Sequence, residues 1–141
     1  MMYTLKQFAH MFNTTAHTIR YYTDIQLLPC KRDKNNRRIF DEESANWMQG
    51  IACLKGCGAS IEDIKEYCDL CRQPESRETL LARYQIILRQ REQAYQRIEE
   101  AKATAAYMDE KVAHYEQILS GQIPDDSNPE HWTETTRPEK H

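Results

Sequence analysis

From Glu75 to Ser120 the chain has no glycine or proline. Positions 80, 84, 87, 91, 94, 98, 101, 105, 108, 112, 115 and 119 read Leu, Tyr, Ile, Arg, Ala, Ile, Ala, Ala, Met, Val, Tyr and Leu. The steps alternate four and three without a slip, and Arg91 alone is not apolar. Such a repeat is the seam of a coiled coil. A helix of this length runs roughly 60 Å, too far to bury its stripe against a domain of about 70 residues. Folding back as a hairpin is the other solution, but no turn signal lies midway. The pattern therefore predicts a dimer with a second copy through Leu80, Tyr84, Ile87, Ala94, Ile98, Ala101, Ala105, Met108, Val112, Tyr115 and Leu119. The three alanines let the helices approach closely near the middle.

The 141-residue chain has a net charge of −3, so the whole molecule is not a general polyanion binder. Charge is uneven, however. Lys31 to Arg38, "KRDKNNRR", holds five basic residues against one acid. It is either a solvated loop or a local phosphate-binding patch. No apolar run approaches the ~18 residues of a membrane span, and "MMYTLKQFAHMF" lacks the parts of a signal peptide. The expected location is the cytoplasm. Five cysteines, an odd number, argue against a disulfide framework.

Ahead of the long helix, residues 1–73 are dense in short-helix signals. Thr4 and Gln7 form a capping box, followed by an apolar face of Leu5, Phe8, Ala9 and Phe12. Asn13-Thr14 breaks that helix, and Thr15 caps a second one with Ile19 and Tyr22 inward. Two short helices joined so tightly are a helix-turn-helix candidate. Past Leu27-Leu28-Pro29, Lys31-Arg32 and Arg38-Ile39-Phe40 can pair as a β-ribbon around Lys34-Asn35-Asn36. Asp41 caps a third helix that buries Trp47, Met48, Ile51 and Leu54 and ends at Gly56-Cys57-Gly58. Ser60 starts a fourth with Ile61, Ile64 and Tyr67 inward. The predicted fold is all-α with a small β wing: a winged helix-turn-helix domain over 1–73, a coiled-coil dimerisation helix over 74–120, and a mostly disordered polar tail over 121–141.

The stretch "YTLKQFAHMFNTTAHTIRYYTDIQLLPCKRDKNNRRIFDEE" resembles the N-terminal domain of the MerR family of transcription regulators. The likeness rests on Thr18-Ile19-Arg20-Tyr21-Tyr22, the Leu27-Leu28 exit and the Arg38-Ile39-Phe40 wing end. Three features depart from the family pattern. The acid after the tyrosines is displaced to Asp24, Asn36 and Arg37 replace the wing's glycine and tyrosine, and Phe40 has no hydroxyl for a phosphate. The resemblance implies DNA binding through Thr15, His17 and Thr18 near bases or phosphates, Arg20 and Tyr21 on the backbone beside them, and Arg37 and Arg38 on flanking phosphates. It also implies an antiparallel dimer on promoter DNA, which bends and untwists the spacer so that RNA polymerase can engage both promoter elements.

"WMQGIACLKGCGASIEDIKEYCDLC" resembles the aldehyde- and thiol-stress-responsive, AdhR/NmlR-like branch, which implies that Cys53 is the sensing thiol. Lys55 favours its thiolate and a helix C-terminus disfavours it; the alternative is a small residue facing the core. The metal-sensing branch instead has cysteines just past the dimer helix, where "AHYEQILSGQIPDD" has none. A metal-responsive alternative uses Cys53, Cys57, Cys68 and Cys71 as thiolate ligands, although i and i+3 positions on one helix point side by side. No Gly-rich phosphate loop, HExxH or Cys/His pairing suggests an enzyme, and no cofactor is expected. A coiled-coil protein-interaction adaptor is the remaining alternative.

Overall fold

The computed structural model describes residues 1–139. These fall into two compact units, Met1–Ala94 and the residues from Tyr95 onward. In chain order the elements are β1 (Tyr3–Thr4), α1 (Leu5–Met11), α2 (Ala16–Asp24), β2 (Lys31–Arg32), β3 (Arg38–Phe40), α3 (Glu42–Gly56), α4 (Ile61–Arg72), α5 (Arg77–Leu119) and a 3₁₀ turn at Pro129–His131. None of the described helices is long and apolar enough to cross a membrane.

Each helix of the first unit starts where a side chain can satisfy an orphan amide. Thr4 Oγ1 accepts from the Gln7 amide at 3.1 Å, and Gln7 Oε1 accepts from the Thr4 amide at 2.9 Å. Thr15, Asp41 and Ser60 cap α2, α3 and α4 by accepting from the amides of Thr18, Ser44 and Asp63. The turn between α1 and α2 passes through Asn13 at φ 52°, a left-handed conformation that asparagine tolerates better than most residues. The exit from α2 is less expected, since Gln26 takes φ 62°. There the amides of Leu27 and Leu28 both donate to the Tyr22 carbonyl, at 3.0 and 3.1 Å, and both leucines are driven into the core.

The wing is antiparallel, with Lys31 opposite Ile39 and Arg32 opposite Arg38. Asp33 closes its turn by accepting from the amides of Asn35 and Arg37, at 2.8 and 2.9 Å, and Asn36 supplies the left-handed residue at φ 60°. A third strand completes the sheet. β1 pairs with β3, Tyr3 opposite Phe40 and Thr4 opposite Ile39, giving the order β1-β3-β2. Phe40 is fully buried and stacks on Phe8 with centroids 4.3 Å apart. It therefore clamps the wing to α1, and the missing hydroxyl costs the core nothing.

One core holds the unit together: Phe8, Ile19, Leu27, Phe40, Ile51 and Ile64 have no exposed surface. Arg72, at the end of α4, ties three elements together. Its Nη2 donates to the Leu27 carbonyl at 2.6 Å, and its guanidinium lies 4.2 Å from the Trp47 ring centroid. Ser44 is buried and donates to the Pro29 carbonyl at 2.8 Å. The start of α5 also belongs here. Ile86 and Gln90 are buried, Gln90 Nε2 donates to Asp63 Oδ2 at 2.8 Å, and Arg89 bridges Asp63 and Glu66. The compact unit consequently runs to Ala94, past the expected boundary at residue 73, because α5 uses a face distinct from its heptad stripe to dock on α4.

In the second unit, α5 continues to Leu119 with Ile98, Met108, Val112, Tyr115 and Leu119 exposed. The segment after it covers most of the polar tail. Its described residues form turns and the short 3₁₀ turn. His114 Nε2 pairs with Asp126 Oδ1, and Trp132 Nε1 donates to the Asp126 carbonyl at 2.7 Å. These side-chain bonds join residues too far apart for a local pattern to reveal. His141, at the end of the expected tail, lies outside the described residues.

Candidate nucleic-acid interface

The N-terminal half of α2 is the surface singled out by the sequence, and the fold leaves most of it open. Thr15, His17, Arg20 and Tyr21 are exposed, while Ile19 and Tyr22 face the core. Tyr22 is held in its neutral form to a higher pH than usual because burial penalises the phenolate. Tyr21 is 45% exposed, so it is not a core tyrosine. Thr15 and Thr18 have a prior duty. The Thr15 hydroxyl accepts from the Thr18 amide at 3.1 Å, and the two hydroxyls share a 2.9 Å hydrogen bond. They fix where the helix starts, and each retains some hydrogen-bonding capacity for an outside group.

The two wing arginines differ. Arg37 is exposed. Arg38 turns back onto α2: its Nε donates to Thr23 Oγ1 at 3.0 Å, and its Nη2 pairs with Asp24 Oδ1 at 2.8 Å. Thr23 in turn donates to the Arg20 carbonyl at 2.7 Å. Arg38 thus has partners on α2 that the sequence did not assign to it. The acid displaced to Asp24 meets the wing and bolts it to the C-terminal half of α2. Lys31 is likewise engaged, 2.9 Å from Asp41. The Lys31 hydrogen bond, followed by the Ser44 amide, lowers the Asp41 carboxyl from 3.8 to about 2.

Tertiary packing adds one basic residue that no local signal marked, Lys6. A cleft of about 380 Å³ opens between the start of α1 and the wing, and Lys6, Arg32, Arg37 and Arg38 all line it. Lys6 lies in the first turn of α1, an unremarkable place for a lysine in sequence. The β1–β3 pairing brings it beside the wing.

The cysteines are not gathered into one site. Among the described residues no three or more His, Cys, Asp or Glu side chains form a group able to hold a metal. Cys68 is buried, and its thiol is pushed up to about 11 by desolvation; Cys53 and Cys57 are exposed. The alternative four-thiolate site of Cys53, Cys57, Cys68 and Cys71 is therefore not assembled: the C-x2-C pair lies along α4, and the other two cysteines face outward from the last turn and cap of α3. Nor does Cys53 take up the alternative place facing the core. α3 buries Ser44, Met48 and Ile51, and Cys53 lies about 200° further round the helix from Ile51. Its sulfur is exposed and accepts a 3.6 Å contact from Gln49 Nε2.

Residues 3–71 match the family described as MerR HTH family regulatory protein. The chain is 39% identical over 83 residues to the HTH-type transcriptional regulator AdhR of Bacillus subtilis, covering 55% of this chain and 59% of AdhR. It is 35% identical over 68 residues to the uncharacterized regulator YyaN of the same organism, covering 48% of this chain and 49% of YyaN. The chain thus spans about half the length of the curated relatives it matches. Among solved structures, HiNmlR, a MerR family regulator lacking the sensor domain and bound to promoter DNA, is 27% identical with a TM-score of 0.69. That likeness covers 85% of this chain and 90% of HiNmlR. A MerR family regulator from Bacillus thuringiensis is 33% identical with a TM-score of 0.64, over 82% of this chain and all of that one. These relatives are transcriptional regulators rather than enzymes, and the capped helix pair, the wing and the long following helix agree with them: the chain belongs to the MerR family of helix-turn-helix regulators.

Proposed function

We propose that the protein is a homodimeric regulator that binds double-stranded promoter DNA in the cytoplasm. The observation that supports this most directly is the open start of α2 beside a basic wing, in a chain similar to a regulator solved on promoter DNA. His17, with Thr15 and Thr18 at the cap, faces the bases. Arg20, Tyr21 and Arg37 hold the backbone. Arg38 sets the angle between wing and helix through Thr23 and Asp24 and offers its remaining N–H groups to a phosphate. The stripe from Leu80 to Leu119 pairs with a second copy in antiparallel fashion. Activation proceeds by bending and untwisting the promoter spacer, which aligns the two promoter elements for RNA polymerase.

The inducing signal in this reading is an aldehyde, another electrophile or a thiol oxidant acting on Cys53. The exposed sulfur supports access by such reagents. The switch in this reading lies on the outer face of α3, where an adduct changes what can pack there.

Binding to the protein's own upstream DNA, titrated against salt, tests the DNA reading. Arg37→Ala is expected to lower the salt slope by about one unit and weaken all operators alike. His17→Ala is expected to alter operator preference. A protein with no preference for its upstream DNA over random duplex would support the adaptor alternative. In vitro transcription with and without aldehyde tests the sensor: Cys53→Ser is expected to bind DNA but lose induction, and full induction of that variant would refute the thiol switch.

A further inference from the structure

Lys6 borders two recesses of the head. One is the cleft of about 380 Å³ that α1 shares with the wing. The other is a shallow groove of about 460 Å³, lined besides Lys6 by Gln7, Ala9, His10, Thr14 and Ala16, which leads to the start of α2. Lys6 is the residue common to both. A path over the surface from the open start of α2 to the wing therefore crosses it.

The cleft is basic, and its charges are unequally committed. Lys6, Arg32, Arg37 and Arg38 line it against one acid, Asp33. Asp33 Oδ1 is taken by the amides of Asn35 and Arg37, at 2.8 and 2.9 Å. Arg38 is paired with Asp24, and Arg32 Nη1 donates to the Asn36 carbonyl at 3.1 Å. Lys6 is exposed, and its ammonium pairs with no described residue. Like charges gathered around it raise the local potential, which an incoming anion relieves. The walls are also fixed to one another before any ligand arrives. β1 pairs with β3 beside the start of α1, and Arg38 ties the wing to Thr23 and Asp24. Such preorganisation lowers the ordering cost of binding.

We infer that the cleft between α1 and the wing seats one backbone phosphate of the operator, on the strand that runs from α2 to the wing, and that Lys6 holds it. The inference rests on the promoter-DNA reading above. A DNA strand carries a phosphate at every nucleotide, so a strand touched by α2 and by Arg37 presents phosphates between them. The Lys6 ammonium is a point charge on a flexible stem, suited to a phosphate oxygen and indifferent to base identity. Its contact fixes the register of the head on the duplex without reading sequence.

The test is binding of the full chain to its own upstream duplex across a salt series, with methylphosphonates, which carry no charge, replacing the phosphates one at a time. Lys6→Ala is expected to lower the salt slope by about one unit per bound chain and to weaken binding by about tenfold per chain at ~0.1 M salt. Lys6→Arg is expected to restore both, and the thermal transition of each variant should match the parent. One methylphosphonate, between the phosphates that lose their effect in Arg20→Ala and in Arg37→Ala, is expected to weaken the parent while leaving Lys6→Ala unaffected. That coupling separates a direct contact from a general loss of charge. An unchanged slope and affinity in Lys6→Ala, beside a weakened Arg37→Ala, would overturn the inference and leave the DNA reading standing. Coupling of Lys6 to a phosphate outside that interval, or to none, would overturn it too. A parent protein with no preference for its upstream duplex would remove both together.

Discussion

The head and the far half of α5 contain the same kinds of apolar residues and treat them oppositely. In residues 1–94, Phe8, Ile19, Leu27, Phe40, Ile51, Ile64 and Ile86 are enclosed by neighbours from several elements. Beyond Ala94, Ile98, Met108, Val112 and Tyr115 each expose about half of their surface, and Leu119 exposes 83%. Burying a large aliphatic side chain yields roughly 1.5–3 kcal/mol, so the head has already realised this free energy and the rod has not. A contiguous apolar stripe of this kind marks an interaction surface. The head buries its apolar residues on itself; the stripe stays exposed, as the proposed pairing with a second copy requires. At its near end α5 belongs to both regimes, with Ile86 and Gln90 buried on α4 while Leu80, Tyr84 and Ile87 remain exposed.

Placing a charge in the stripe should break the comparison most sharply. Ile98→Lys puts an ammonium at the centre of the proposed seam and is expected to cost several kcal/mol of dimer stability. Sedimentation at micromolar concentration should show monomer. A dimer of undiminished affinity would mean that the stripe from Leu80 to Leu119 is not the seam. Phe40→Ala should act on the other side of the contrast, costing the head about 3–5 kcal/mol through the lost stack on Phe8. Denaturant unfolding would read this loss, while the α5 stripe should still self-associate; loss of both together would show that the two regions fold as one.

A smaller effect separates the two ways a wing arginine can serve. Arg38→Ala removes the bonds to Thr23 and Asp24 and is expected to destabilise the head by about 1–3 kcal/mol while also weakening DNA binding. Arg37→Ala should weaken binding with no loss of stability. Equal thermal transitions for the two variants would remove the bolt between wing and α2. The smallest effect lies in acid. Asp41 is lowered to about 2, so its contribution to stability is complete above the unfolded value of 3.8 and fades as pH falls toward 2. Asp41→Asn is expected to flatten the pH dependence of the melting temperature between about pH 4 and pH 2. A slope identical to that of the parent would show that the Lys31–Asp41 pair does not persist in solution.

The local rules carried far in the head. Caps at Thr4, Thr15, Asp41 and Ser60 are visible in sequence because each acts within three residues of itself, and the inward positions of α1 to α4 follow from helical spacing. Asn36 at the wing turn is likewise a local preference. The site was legible only in part. The exposed face of α2 follows from the same periodicity that buries Ile19 and Tyr22, but the partners of Arg38 do not. Asp24 reads as a helix terminus until β3 is laid beside it, 14 residues later. The orientation of Cys53 was left open because α3 has apolar residues nearly all round, so spacing alone did not reveal which face is inside.

Sequence by itself determined the helices, their starts, the wing and the unbroken apolar stripe, because propensity, capping and periodicity act over a few residues and need no partner. Tertiary structure decided the β1–β3 pairing, the capture of Arg72 by the Leu27 carbonyl and Trp47, the docking of Ile86 and Gln90 on α4, and the cleft that sets Lys6 beside the wing. Each of these joins residues far apart in the chain or on different elements. Their free energy is gained only when the core has brought those elements together, so no short window of sequence contains them.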